Sequence, residues 1–412
     1  MAELVTMVKR FFAAPRHARC PPTPPRGPLP LARRETPTAM SFAAAAAPPA
    51  CAAAPARRAD GRRAVPSAHG TSTARPSGHG TRAPVPRRAR GDAAVAAVAA
   101  GSPPSARIAR RPDASVEEKF WEWEGHRIRY TAAGDEGPAM VLVHGFGGNA
   151  DHWRKNTPAL GKHGRVFAID LLGYGYSSKP DPMAQEQNAI YNFENWSRQL
   201  RAFCEEVVGE PAFLMCNSVG GVAGLQAAVD DASLVRGVVL INVSLRGLHV
   251  TKQPALAKPF IKALQTTLRT TDIGKAFFGN VARAETVRNV LREAYGDPDT
   301  VTDELVQCIL KPGLQTGAAE VFLDFISYSG GPLPEDLLPK VADETPVRIL
   351  WGRADPWEIV KEGRKYGEYA CVDRFIELPG VGHCPMDEAP DLVNPLLLEF
   401  VNDYREATRG AR

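Results

Sequence analysis

Between residues 139 and 380 the apolar residues come in short continuous runs, each followed by a helical pattern. The runs are AMVLVHG (139–145), RVFAIDLLG (165–173), PAFLMCNS (211–218), GVVLINVS (237–244), PVRILWG (346–352) and RFIELPG (374–380). Continuous rather than alternating apolarity predicts strands buried on both faces, as in a parallel sheet covered by helices. Upstream, FWEWEGHRIRYTAAG alternates and turns at Glu124 and Gly125, which predicts a β-hairpin. Helices are expected over 192–209 (NFENWSRQLRAFCEEVVG) and 391–407 (DLVNPLLLEFVNDYREA).

One gap breaks this rhythm. About 100 residues separate the run at 237–244 from the run at 346–352, too many for a loop without structure of its own. The gap carries two apolar stripes, Phe260, Ile261, Leu264, Leu268 and Val321, Phe322, Phe325, Ile326. That spacing places each set on one helix face. A helical insertion is expected, lying as a lid over the carboxyl ends of the strands, where open α/β sheets bind ligands.

Charge divides the chain. Residues 1–110 hold 18 basic and 4 acidic residues, a balance of +14, whereas 111–412 hold 32 basic and 42 acidic, a balance of −10. The net of +4 therefore averages two unlike segments, and a nucleic-acid partner is not expected of the folded part. The first 110 residues are rich in Ala, Pro and Arg and show no helical or strand period, so they cannot bury enough apolar surface to offset chain entropy. Arg-rich and acid-poor, they have the composition of an organelle transit peptide and linker. Met40 opens MSFAAAAAPPA, which has the same texture, and is a second candidate start beside Met1. No apolar window is long enough for a transmembrane helix. The seven cysteines are scattered without a CxxC pair, so reduced thiols and no structural zinc are expected.

The candidate chemistry centres on LMCNSVGG (214–221). Ser218 stands between a strand-like run and the helix-like VAGLQAAV. A serine on a sharp strand-to-helix turn needs small neighbours, here Cys216 two before and Gly220 two after, and the helix N-terminus favours negative charge beside it. The commoner residue two before is glycine; a thiol is also small, with tighter packing expected. The serine needs a base and a group to orient that base. The candidates are His383 in LPGVGHCP and Asp355 in LWGRADPW, each just past a predicted strand. Taken singly, His383 could be a loop imidazole bonded to backbone, and Asp355 could cap a helix starting at Pro356. Together they give the chain order Ser…Asp…His of α/β-hydrolases. VLVHGFGGN supplies a glycine-rich turn at Gly145, and the backbone N–H groups of Phe146 and Val219 are the expected oxyanion donors. His144 is expected to brace this loop. Asp170 is expected to tie down the loop after its strand, and Asp387 and Glu388 to cap the last helix rather than ligate metal. No metal or organic cofactor is implied.

HGFGGN, AIDLLGYGYSS, CNSVGG, WGRADPW and GHCPMDEAPDLVN resemble, in order and spacing, the α/β-hydrolase superfamily over roughly residues 119–408. Within it the chain resembles the plant plastid branch that includes pheophytinase and chlorophyll dephytylase. The resemblance implies an α/β-hydrolase fold: a mostly parallel eight-stranded sheet flanked by helices, with a helical lid inserted after strand 6. The expected organisation is a transit peptide and linker at 1–110, a core at 111–245 and 341–412, and a lid at 246–340. It implies Ser218 as nucleophile, His383 as base and Asp355 as acid, in a serine esterase that cleaves a hydrophobic, phytyl or prenyl, ester. It also implies a plastid location, in the stroma or peripheral to a plastid membrane. Haloalkane dehalogenases and epoxide hydrolases of the same superfamily use a carboxylate nucleophile, where this chain has serine. A C–C hydrolase acting on a dienoate, a peroxidase-type variant, which would also use serine, and a non-catalytic ligand-binding member of the fold are the alternatives. The sequence sets no oligomeric state.

Overall fold

The computed structural model describes residues 115–184 and 186–405. The leader, both candidate start methionines, Cys20 and Cys51 lie outside the described residues. Eight strands form one sheet in the order β1-β2-β4-β3-β5-β6-β7-β8. The strands are β1 Glu117–Trp123, β2 His126–Ala133, β3 Ala139–Val143, β4 Arg165–Ile169, β5 Ala212–Asn217, β6 Val235–Ile241, β7 Val347–Gly352 and β8 Val372–Leu378. The β1–β2 hairpin is antiparallel, as is its junction with β4; every other pairing is parallel. Glu124 and Gly125 both have positive φ, the two-residue turn whose twist suits a hairpin.

The continuous apolar runs have their expected cause. β3, β5 and β7 are buried at every position. Alternate residues serve opposite faces: Val141, Leu214 and Leu240 join one core cluster, while Leu142, Met215 and Ile241 join the other. The first face is covered by α2 (Phe193–Phe203) and α3 (Val219–Asp230), the second by α1 (Thr157–Gly161) and the C-terminal helix. β8, at the sheet edge, is only half-buried.

Between β6 and β7 the chain forms α4 (Lys258–Thr270), α5 (Asp272–Val281), α6 (Ala284–Ala294), α7 (Asp303–Gly313) and α8 (Ala318–Ile326). The inserted helices are thus where the gap placed them. After α8 come the short helices α9 (Pro334–Leu337), α10 (Val360–Gly363) and α11 (Pro385–Glu388), then α12 (Pro390–Tyr404). Leu337, Leu338 and Val341 already pack into the main core.

Two details differ from the sequence expectation. The helix expected over 192–209 is α-helical only to Phe203; Cys204–Val208 widens into a π turn that ends at Gly209, where φ is +75°. Phe260 is not on the buried face of α4: Ile261 and Leu268 are buried, while Phe260 is exposed. A residue adjacent to a helical stripe lies about 100° away round the axis, so i, i+1 neighbours need not share a partner.

Candidate active site

β5 ends at Asn217 and α3 starts at Val219, so Ser218 alone makes the turn. Its φ of +54° and ψ of −122° are strained for a residue with a Cβ, a cost on the order of 1–3 kcal/mol that its surroundings must hold in place. They do so through the backbone. Ser218 N–H donates to the Ile241 carbonyl (3.0 Å), and its own carbonyl accepts from Gly221 N–H (3.0 Å) and Ser244 N–H (3.2 Å). The Ser218 side chain makes no capping hydrogen bond to α3 among the described residues, so the first-turn N–H groups, Val219 among them, present the helix's positive end beside the serine.

Small residues make this approach possible. A Cβ on Gly145 would come within 2.8 Å of Ser218 Cβ, and one on Gly220 within 2.4 Å of the His144 carbonyl. The loop after β3, with Phe146 in it, therefore lies directly against the serine turn. Cys216 is fully buried with its Sγ against Gly224, so the thiol where glycine is commoner is accommodated by a glycine in the second turn of α3. Burial pushes that thiol well above its ordinary pKa.

Asp355 and His383 meet. His383 Nδ1 lies 2.7 Å from Asp355 Oδ2. The carboxylate fixes Nδ1–H as donor and leaves Nε2 as the acceptor. Asp355 does not cap a helix at Pro356; its Oδ1 accepts from Trp357 N–H (2.8 Å) and Glu358 N–H (3.0 Å), and its Oδ2 also accepts from Asn242 Nδ2 (2.7 Å). Asn242 Oδ1 in turn accepts from Gly352 N–H (2.9 Å), locking the end of β6 to the end of β7. Ser218 joins this pair through its neighbour: Asn217 Nδ2 donates to the His383 carbonyl (3.1 Å). Among the described residues the Ser218 hydroxyl itself makes no hydrogen bond to His383, a separation common before substrate tightens such sites. All three residues are buried, and the Trp357 ring lies 5.1 Å from the imidazole.

Burial alone would lower the His383 pKa. The charge and hydrogen bond of Asp355, with the charge of Glu358, outweigh it and raise the value above 6.5. Burial alone would raise Asp355; the imidazolium and three hydrogen bonds bring it below the usual carboxylate range. Glu358 is a participant that the sequence reading missed. The residue is part-exposed, but its carboxyl group is enclosed, accepting from Ser244 Oγ (2.9 Å) and Leu245 N–H (2.9 Å). Burial pushes it up to about 7. Its position three residues after Asp355, in DPWE, was the available signal; Asn217 and Asn242 likewise stand out as polar residues inside apolar runs.

The remaining candidates have structural roles. His144 accepts from Leu171 N–H at Nε2 (3.1 Å) and faces the Gly145 carbonyl at Nδ1 (2.8 Å); burial lowers its pKa to about 4. Asp170 accepts from Ala150 N–H (2.6 Å) and Tyr176 N–H (2.7 Å) and so ties down two loops. Asp387 and Glu388 do not cap the last helix, whose N-cap makes no side-chain hydrogen bond. Asp387 instead accepts from Arg154 (2.6 Å) and the Tyr295 hydroxyl (2.9 Å), and Glu388 from Asp297 N–H and Gly382 N–H (both 2.8 Å). Both carboxylates bind the insertion to the loop of His383, which is a stronger demand than a cap. His383 N–H itself donates to the Ala294 carbonyl at the end of α6 (2.8 Å). On the other side, Phe322 and Phe325 of α8 pack on the Phe146 ring at 5.2 Å each. The insertion thus touches both the loop of His383 and the loop of Phe146.

Residues 140–396 match the model of the alpha/beta hydrolase family. Chloroplastic pheophytinase of Arabidopsis thaliana is 28% identical over 323 residues, covering 70% of this chain and 67% of that protein. A 2-hydroxy-6-oxo-6-(2'-aminophenyl)hexa-2,4-dienoic acid hydrolase of Metapseudomonas resinovorans is 26% identical, covering 74% of this chain and 97% of that one. A solved serine hydrolase involved in carbazole degradation superposes with a TM-score of 0.55 at 22% identity, covering 70% of this chain and 99% of that one.

Proposed function

The chain belongs to the alpha/beta hydrolase family and is a hydrolase, and on that premise we propose that it is a serine carboxylic ester hydrolase. Ser218 Oγ attacks the acyl carbonyl while His383 Nε2 takes its proton. Asp355 holds the ring and stabilises the imidazolium. The Phe146 and Val219 N–H groups receive the oxyanion, each contributing on the order of 3 kcal/mol to the transition state. The alcohol leaves with the proton from His383. Water, deprotonated by the same imidazole, then attacks the acyl-enzyme; the acid departs and Ser218 regains its proton. The observation that carries this reading is the 2.7 Å Nδ1–Oδ2 contact of His383 and Asp355, which leaves Nε2 as a base.

The substrate we propose is a hydrophobic ester, of phytyl or prenyl type, on a chlorophyll-like pigment in a plastid. Support comes from the pheophytinase relative, the acid-poor, Arg-rich leader and the Phe146, Phe322 and Phe325 rings on one side of the site. In this reading the residue 246–340 insertion serves as the lid. Cleavage of a C–C bond in a dienoate is the second reading, favoured by the dienoic acid hydrolase relative. Fluorophosphonate labelling and a panel of phytyl esters, short-chain esters and dienoates, run on wild type and Ser218→Ala, test both. Labelling of wild type alone, with turnover of esters lost in Ser218→Ala, is expected. Wild type that resists the label, or equal turnover by both proteins, removes the serine mechanism.

A further inference from the structure

α4 carries two apolar faces, and among the described residues only one is covered. Its inner face is Ile261 and Leu268, both buried, with Leu264 packed beside them. Gln265 fixes this face by donating to the Ile326 carbonyl (3.2 Å) and Ser329 Oγ (2.9 Å). Its outer face starts in the turn Ala255–Ala257 and runs through Leu256, Pro259, Phe260 and Ala263, all exposed. Leu256 is 89% and Phe260 75% accessible, the most exposed large apolar side chains described. Their three- and four-residue spacing makes one stripe. Lys258 and Lys262 stand exposed along its edge, while Lys252, just before it, is paired with Glu335 at 2.8 Å. From Ala232 to Thr271 there is no Asp or Glu at all, in a segment 111–412 whose balance is −10.

We propose that the Leu256–Phe260 face of α4 docks peripherally on an anionic lipid surface. Lysines bordering a Leu and Phe stripe are the chemistry of a helix lying in the headgroup plane, its apolar side chains among the acyl chains and its cations at the lipid phosphates. The local lack of carboxylates, on a fold that is otherwise net negative, matches the sign of that surface. No helix among the described residues is long and apolar enough to cross a membrane, so the contact is peripheral. The inner face of α4 packs with Phe322, whose ring lies 5.2 Å from that of Phe146 beside Ser218. Docking therefore sets the aromatic wall of the site next to the lipid, which supplies a hydrophobic ester; only this last step rests on the proposed esterase activity.

The test is flotation of the whole protein with phosphatidylcholine vesicles, with and without about 30% phosphatidylglycerol. Wild type should float with the anionic vesicles and lose most of that binding in roughly 0.5 M salt, where screening is short-ranged. Leu256→Asp with Phe260→Asp should reduce bound protein by about tenfold or more, and Lys258→Glu with Lys262→Glu by a smaller factor. Hydrolysis of a soluble short-chain ester should stay unchanged in both. Equal flotation of wild type and the Leu256/Phe260 variant, or no flotation of wild type, overturns the proposal. So does a dimer of wild type in sedimentation that the same variant dissociates, since a second copy would then cover the stripe. An enzyme inert on every ester that still floats would overturn the esterase reading and leave this one standing.

Discussion

The loops after β3 and β8 each bury a histidine at the same rim of the sheet, and the two imidazoles have opposite fates. His144 faces a carbonyl and a backbone N–H, two neutral partners, and burial lowers its pKa to about 4. His383 faces a carboxylate, with a second one in its field, and its pKa rises despite equal burial. Burial alone lowers an imidazole's pKa; a buried anion beside it reverses the direction. The linkage signs differ too. With a folded value of about 4 against 6.5, His144 takes away stability as pH falls from 6.5 to 4, by about 3 kcal/mol in all. His383, raised, contributes stability below its unfolded value and loses it as pH rises through the folded one.

The contrast can be broken most directly at His383. His383→Ala should lower kcat on the order of 10⁶-fold, as for removal of a base in a cooperating triad, measured on whichever ester the wild type turns over. A loss under about tenfold would mean that another group accepts the Ser218 proton. Next in size is Asp355→Asn, expected to cost roughly 10⁴-fold in kcat. In the wild type, kcat/KM should fall with acid along a limb above 6.5, because His383 must be neutral to act and its pKa is raised. In Asp355→Asn that limb should move to lower pH; a limb that stays put would detach the carboxylate from the base.

Smaller is the effect at His144. His144→Leu leaves Leu171 N–H without its partner, while the Gly145 carbonyl keeps the Gly148 N–H (3.1 Å), a loss of about 1–3 kcal/mol, read by urea denaturation. Activity of the folded fraction should stay within about tenfold. Unchanged stability with collapsed activity would exchange the roles assigned to the two histidines. The smallest effect is expected of Glu358→Gln. Removing a charge that helps raise His383 should draw the acidic limb down by less than about one pH unit, while the amide oxygen can still accept from Leu245 N–H and the amide nitrogen can donate to Ser244 Oγ. No movement of the limb would make Glu358 a brace for the loop after β6 and nothing more.

Much of this was legible in the chain because the strands are continuous apolar runs and each candidate residue sits just past one. The positions of Ser218, Asp355 and His383, each in the loop or turn that follows a strand, needed only that local reading. The partners of those residues were not legible, because they depend on pairings between distant segments. Asn242 reaches Asp355 across 113 positions and Asn217 reaches His383 across 166. Asp387 and Glu388 illustrate the reverse error: beside Pro390 they look like helix-capping acids, yet tertiary donors 92 and 91 positions away, the Tyr295 hydroxyl and Asp297 N–H, claim them instead. The stripe predicts Phe260 inward because apolar spacing shows which residues share a face, and not whether a second face is apolar as well.

The hydrogen bond from His383 N–H to the Ala294 carbonyl has a practical outcome for engineering. A chimaera that keeps the sheet and replaces the helices between β6 and β7 with foreign ones would sever the strut behind the imidazole. Such grafts should retain residues 294–297 from this chain, splicing on either side of them, or selectivity and turnover will be altered by one and the same cut.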